Sequence, residues 1–158
     1  MKFSQETLRD SMTTALVGAM SFVMETDVEV GLEEPALVKK VLSTETYSVT
    51  GLFAAGEIDG TIAFTAVCKD GVANVHSLTV KFSDVDAETV CQCETEQDLL
   101  AAFTNAHQMY VTRKRTQGKR YEKINQCCDQ LSELVQTMAK KHQDKVNSII
   151  QEIRNQVG

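Results

Sequence analysis

Residues 57–82, EIDGTIAFTAVCKDGVANVHSLTVKF, decide the fold. Two runs rich in β-branched residues flank Lys69-Asp70-Gly71. An Asp-Gly pair between such runs is a strong hairpin signal, because both residues tolerate the positive φ that a two-residue turn demands. In the first run Ile58, Ile62, Phe64 and Ala66 share one parity, with Gly60 read as a turn. In the second, Val72, Asn74, His76, Leu78, Val80 and Phe82 fall on one face, opposite Ala73, Val75, Ser77, Thr79 and Lys81. Upstream, residues 28–30, 37–42 (LVKKVL) and 47–54 (YSVTGLFA) read as further strands. Short turns between these runs predict an antiparallel meander of three to five strands, one face packed on helices and the other partly wet. Gly51, Gly56, Gly60 and Gly71 are spaced as strand turns and not as a phosphate cradle.

Helices flank the meander. Leu8, Met12, Leu16, Ala19, Met20 and Val23 recur at helical spacing, which predicts an N-terminal helix over 5–24 with Ser4 as its cap. Residues 89–93 read as a short edge strand. Thr95, with Asp98 in the capping-box position, opens a second helix whose apolar face is Leu99, Leu100, Phe103, Ala106, His107 and Tyr110. Its apolar stretch ends at Arg113-Lys114-Arg115, and Gly118 is either a C-cap or a weak point in a continuous helix. A long C-terminal helix then spans about 119–156. Its apolar positions, Ile124, Cys128, Leu131, Val135, Met138 and His142, are separated alternately by four and three residues. That is a coiled-coil-like seam, a stripe that asks for a second helix to cover it. Beyond His142 the stripe slips to Val146, Ile149 or Ile150, Ile153 and Val157, a four-residue insertion of the kind that locally straightens a supercoil. The fold class expected is α+β, with a head over 1–112 and a helical extension over 113–158.

Charge divides the same way. Residues 1–112 hold six Lys/Arg and seventeen Asp/Glu, a net of −11, while 113–158 hold ten and five, a net of +5, within an overall −6. Such a split predicts contact between tail and head, within one molecule or between two, or an acidic partner for the tail. Arg113, Lys114 and Arg115 open the densest cluster, RKRTQGKR. Without an aromatic stacking pattern and in an acidic chain, nucleic acid is an unfavoured partner.

Chemistry is sparse. Five cysteines, Cys68, Cys91, Cys93, Cys127 and Cys128, form neither a disulfide framework nor the C-x₂₋₄-C hook of structural zinc, so no metal and no cofactor are expected. The apolar run 16–24 is far short of the roughly 20 residues that span a bilayer. The expected location is cytoplasmic or nuclear. His76 and His107 sit among apolar neighbours as boundary residues; His142 lies on the seam, where protonation would oppose helix pairing. The pairs Glu33-Glu34 and Asp84/Asp86 lie in loop-like sequence, and no nucleophile elbow, Walker loop or metalloprotease helix is present.

The order helix, meander, helix, helix over 5–115 resembles the RWD-like interaction domains, without their proline-containing turn. An acidic α/β chain of this size is also similar to secretion-system chaperones, from which the basic tail departs. The first seventy residues, with YSVTGLFAAGEIDGTIAFTA, resemble the chemotaxis phosphatases of the CheC and CheX type, whose helical Glu-x-x-Asn has no counterpart in a matching place here. No family is claimed from these likenesses. The function expected is a non-catalytic interaction or assembly module. It would self-associate or join a protein complex through the stripe Ile124, Leu131, Val135, Met138, Val146, Ile149 and Ile153, aided by Arg113, Lys114 and Arg115. The alternatives are a small chaperone or regulator that binds a client protein, and an enzyme whose site cannot be read from sequence.

Overall fold

The computed structural model describes residues 1–85, 88–136, 138 and 140–157, with the Lys141 side chain left aside. The chain is α+β and divides into two compact units, Met1–Val111 and Thr112–Gly158. The first unit begins with β1 (Lys2–Ser4) and a 3₁₀ turn, Gln5–Thr7, that leads into α1 (Leu8–Met24). Ser4 thus ends a strand and its side chain makes no capping bond, so the N-terminal helix starts three residues later than its spacing suggests. Five strands follow: β2 (Glu29–Leu32), β3 (Ala36–Val41), β4 (Thr44–Ala55), β5 (Ile58–Lys69) and β6 (Val72–Phe82). Then come β7 (Glu88–Gln92), α2 (Glu96–Val135) and α3 (Lys140–Val157).

All seven strands form one antiparallel sheet. β4, β5 and β6 run side by side as the central meander. β2 and β3 share the free edge of β4, and β1 and β7 share the free edge of β6. Asp70 and Gly71 both take positive φ at the β5–β6 turn, as the Asp-Gly pair predicts. One face of the sheet is covered. Val49, Phe53, Ile62, Phe64, Val75, Leu78 and Val80 meet Leu8, Met12, Leu16 and Met20 of α1 and Leu99, Phe103 and Ala106 of α2 in one buried core. The i, i+4 spacing along α1 puts its four large side chains on a single stripe, so all four enter the core together.

Two strand readings are corrected. On β6 the buried residues are Ala73 and Val75, then Leu78, Val80 and Phe82, so the parity changes at His76-Ser77. The register explains it: β6 advances three residues, Val75 to Leu78, while β5 advances two, Ala66 to Phe64. This β-bulge re-aims the strand and spares Asn74 and His76 from burial. Gly51 and Gly60 are not turns but lie within β4 and β5; Gly56 and Gly71 are the turn residues, at φ +63° and +78°. A Cβ on Gly60 would run into the Lys81 carbonyl and the Phe53 ring, and one on Gly51 would stand 2.5 Å from the Gly31 carbonyl. Both glycines exist for close approach.

Thr95 and Asp98 form the expected capping box. The Thr95 amide donates to Asp98 Oδ2 and the Asp98 amide donates to Thr95 Oγ1, both at 3.1 Å. The helix they open does not stop near Gly118. It runs unbroken for 40 residues, and the basic cluster at 113–120 is helical. A glycine interrupts no backbone hydrogen bond, so its cost of about 1 kcal/mol does not end a helix that neighbours on both sides favour. The extension is therefore not one helix over 119–156: the break falls between Val135 and Lys140, next to the slip in the heptad.

Candidate assembly surface on the helical hairpin

The second unit is an antiparallel helical hairpin built from the distal part of α2 and all of α3. Cys128, Val135 and Ile150 are buried against one another, with Ile124 and Val146 packed on them. The seam that seemed to require another chain is thus partly closed by the chain's own last helix. Gln143 ties α3 to the connection: its Nε2 donates to the Met138 carbonyl (2.5 Å).

The remaining apolar residues have a definite placement. Arg154 pairs with Asp129, which marks one side of the hairpin. Relative to the buried line of each helix, Asp129 and Arg154 are rotated one way, while Leu131 and Leu134 on α2 and Ile149 and Ile153 on α3 are rotated the other. In an antiparallel pair, equal rotations face the same side. The four apolar residues therefore share the face opposite the ion pair. Leu131 is 44% exposed, Ile149 50% and Ile153 37%. Met138, in the connection, is also exposed, and Cys127 joins the same face.

The residues picked out by the sequence thus separate into two sets. Ile124, Val135 and Val146 serve the hairpin interior. Leu131, Met138, Ile149 and Ile153 stay at the surface. His142 is exposed and off the covered seam. Arg113, Lys114 and Arg115 occupy consecutive exposed positions of α2. All the positive excess of the extension resides in 113–120, net +5; residues 121–158 carry five basic and five acidic side chains and are neutral.

The head holds one polar cluster that the sequence did not reveal. Glu45 accepts hydrogen bonds from Lys40 Nζ (2.7 Å) and from the Tyr47 hydroxyl (2.7 Å), beside a cleft lined by Gln5, Tyr47 and Cys68. The bond from Lys40 holds the Glu45 carboxyl below its ordinary range, and the bond to Glu45 pushes the Tyr47 hydroxyl up. Burial raises the Cys68 thiol, with help from the Glu45 charge. Burial likewise raises Cys91, to about 11. Thiols held in the protonated form are poor nucleophiles and poor metal ligands. All five cysteines are free, and among the described residues no group of three or more His, Cys, Asp and Glu stands where it could hold a metal ion. Of the acidic pairs, Glu33 accepts from Thr50 Oγ1 (2.9 Å), Glu34 pairs with Arg9 and Asp84 accepts from the Tyr110 hydroxyl (3.0 Å); Asp86 lies outside the described residues.

Comparison with protein-family models, curated proteins and solved structures finds no match to this chain. No helix among the described residues is long and apolar enough to cross a membrane.

Proposed function

We propose that this protein is a non-catalytic assembly module that associates with protein through the exposed apolar face of its C-terminal hairpin. One observation carries the reading: Leu131, Ile149 and Ile153 lie together on a face that the hairpin does not use to hold itself together. Fully burying such a side chain contributes about 1.5–3 kcal/mol, and these start roughly half covered, so each retains about half of that for a partner. Several acting together supply a useful share of an association energy, provided that the opposing surface adds its own.

The test separates the face from the interior. Leu131→Asp and Ile149→Asp are expected to leave helicity and thermal stability near wild type while lowering the mass seen by light scattering or abolishing partner capture. If both variants assemble as wild type does, the face is not the assembly surface.

A second reading, a small chaperone or regulator, is favoured by β3. Leu37, Val38 and Val41 are exposed on this edge strand, and Leu42 at its tip is almost wholly exposed at positive φ. Such an edge can accept an extended client strand. Leu37→Lys with Val41→Lys would then abolish client co-purification and leave mass unchanged.

A further inference from the structure

The first unit carries an open groove of about 540 Å³ between α1 and the first turns of α2. Its floor and wall on α1 are Ser11, Ala15, Gly18 and Phe22, spaced four, three and four; Leu99 and Leu100 of α2 line the other side. This is the stripe next to the one that α1 buries in the core. Small side chains at its centre leave room: a Cβ added at Gly18 would meet nothing within 4 Å. Phe22, at one end, is 73% exposed, the largest apolar surface that any helix of the head presents to solvent. A long cleft floored by small residues, with heptad-like spacing and an exposed aromatic ring, fits a helix bearing bulky aliphatic side chains.

Charge selects which helix. The segments that build the groove, residues 1–27 and 94–103, hold two basic and seven acidic residues, a net of −5. The chain's own α2 carries five basic residues in 113–120 directly before a neutral hairpin whose free face is Leu131, Ile149 and Ile153. Groove and hairpin face are both apolar, and the acidic segments that build the groove are opposite in sign to the basic turns that precede the hairpin.

We infer that the groove of one copy receives the hairpin face of a second copy. This rests on the assembly reading above and names the surface that the hairpin meets. Phe22 and the groove floor cover Leu131, Ile149 and Ile153, while the basic turns of α2 lie toward the acidic segments that build the groove, which place Glu96 on its lining. Because the two surfaces differ, the contact is heterologous, and it propagates into closed rings or open chains and not into a two-fold pair.

Complementation tests it on the full chain. Phe22→Glu combined with Gly18→Glu blocks the groove at exposed positions; Leu131→Asp combined with Ile149→Asp blocks the hairpin face. Each variant alone is expected to scatter as a monomer. Mixed one to one, they retain one intact groove and one intact face and are expected to form a two-chain species. That recovery also shows that both variants are folded. A groove variant that keeps the wild-type mass overturns the inference while leaving the assembly function standing, provided that the face variant is monomeric. Two monomeric variants that fail to combine, each with wild-type circular dichroism, overturn it, because an intact groove and an intact face then do not suffice for contact. A monomeric wild type overturns the second copy as occupant.

Discussion

Three glycines show how differently one residue type acts in this chain. Gly60 lies under the Phe53 ring and against the Lys81 carbonyl, Gly51 lies against the Gly31 carbonyl, and Gly118 sits in a helix with open space where its side chain would be. Gly60→Ala forces a methyl group into a filled sheet face, and overpacking of this kind costs about 1–3 kcal/mol. Gly118→Ala removes only backbone freedom and improves helix propensity, a gain of about 1 kcal/mol. Urea denaturation followed by circular dichroism is expected to give a lower midpoint for the first variant and a higher one for the second. A destabilised Gly118→Ala would mean that this position needs glycine for a reason other than helix formation.

At the scale of elements, the hairpin of α2 and α3 is the feature that changes the reading most. A heptad stripe states that a helix needs a partner, not which partner. Here the last helix covers Cys128 and Val135 from within. Val135 is accordingly a residue of the hairpin interior and Leu131 one of its exposed surface, although they are neighbours on the same seam. Val135→Asp puts a carboxylate into the buried cluster with Cys128 and Ile150, an apolar environment that penalises the charged form. The expected outcome is loss of helical signal and increased proteolysis within 112–157, with the core of the head intact by near-ultraviolet spectra. Full retention of helicity would mean that the hairpin interior is looser than its burial states.

Across the whole molecule, charge is sorted along the chain: net −11 over 1–112, net +5 within 113–120, and a balanced hairpin after it. Exposed charge contacts weaken as salt rises, since the screening length falls from about 10 Å at 0.1 M to about 3 Å at 1 M. Reversing Arg113, Lys114 and Arg115 to Glu is expected to slow and weaken assembly most at low ionic strength, with the difference fading at high salt. Leu131→Asp, which acts on apolar burial, is expected to be damaging at every salt concentration. A charge-reversed chain that assembles normally at low salt would show that the sorting serves solubility alone.

Much of the head was legible because its signals are local. The Asp70-Gly71 turn, the strand runs on either side of it, the Thr95–Asp98 box and the helical spacing of Leu8, Met12, Leu16 and Met20 each depend on residues within a few positions of one another. Of the exposed apolar face, the residues Leu131, Ile149 and Ile153 could be picked from their periodicity, whereas their separation from Ile124, Val135 and Val146 could not. By itself, then, the sequence determined the α+β class, the types and order of the main helices and of the central strands, and the presence of an apolar stripe in the tail, but not the seven strands of the full sheet, where three to five were expected. Only the tertiary structure decided three things: the bulge that turns His76 outward, the close approaches that demand Gly51 and Gly60, and the fold-back of α3 that divides the stripe into an interior and a surface. Periodicity tells which side chains must leave water. Which surface receives them depends on chain segments distant in sequence, and that information exists only once those segments are packed together.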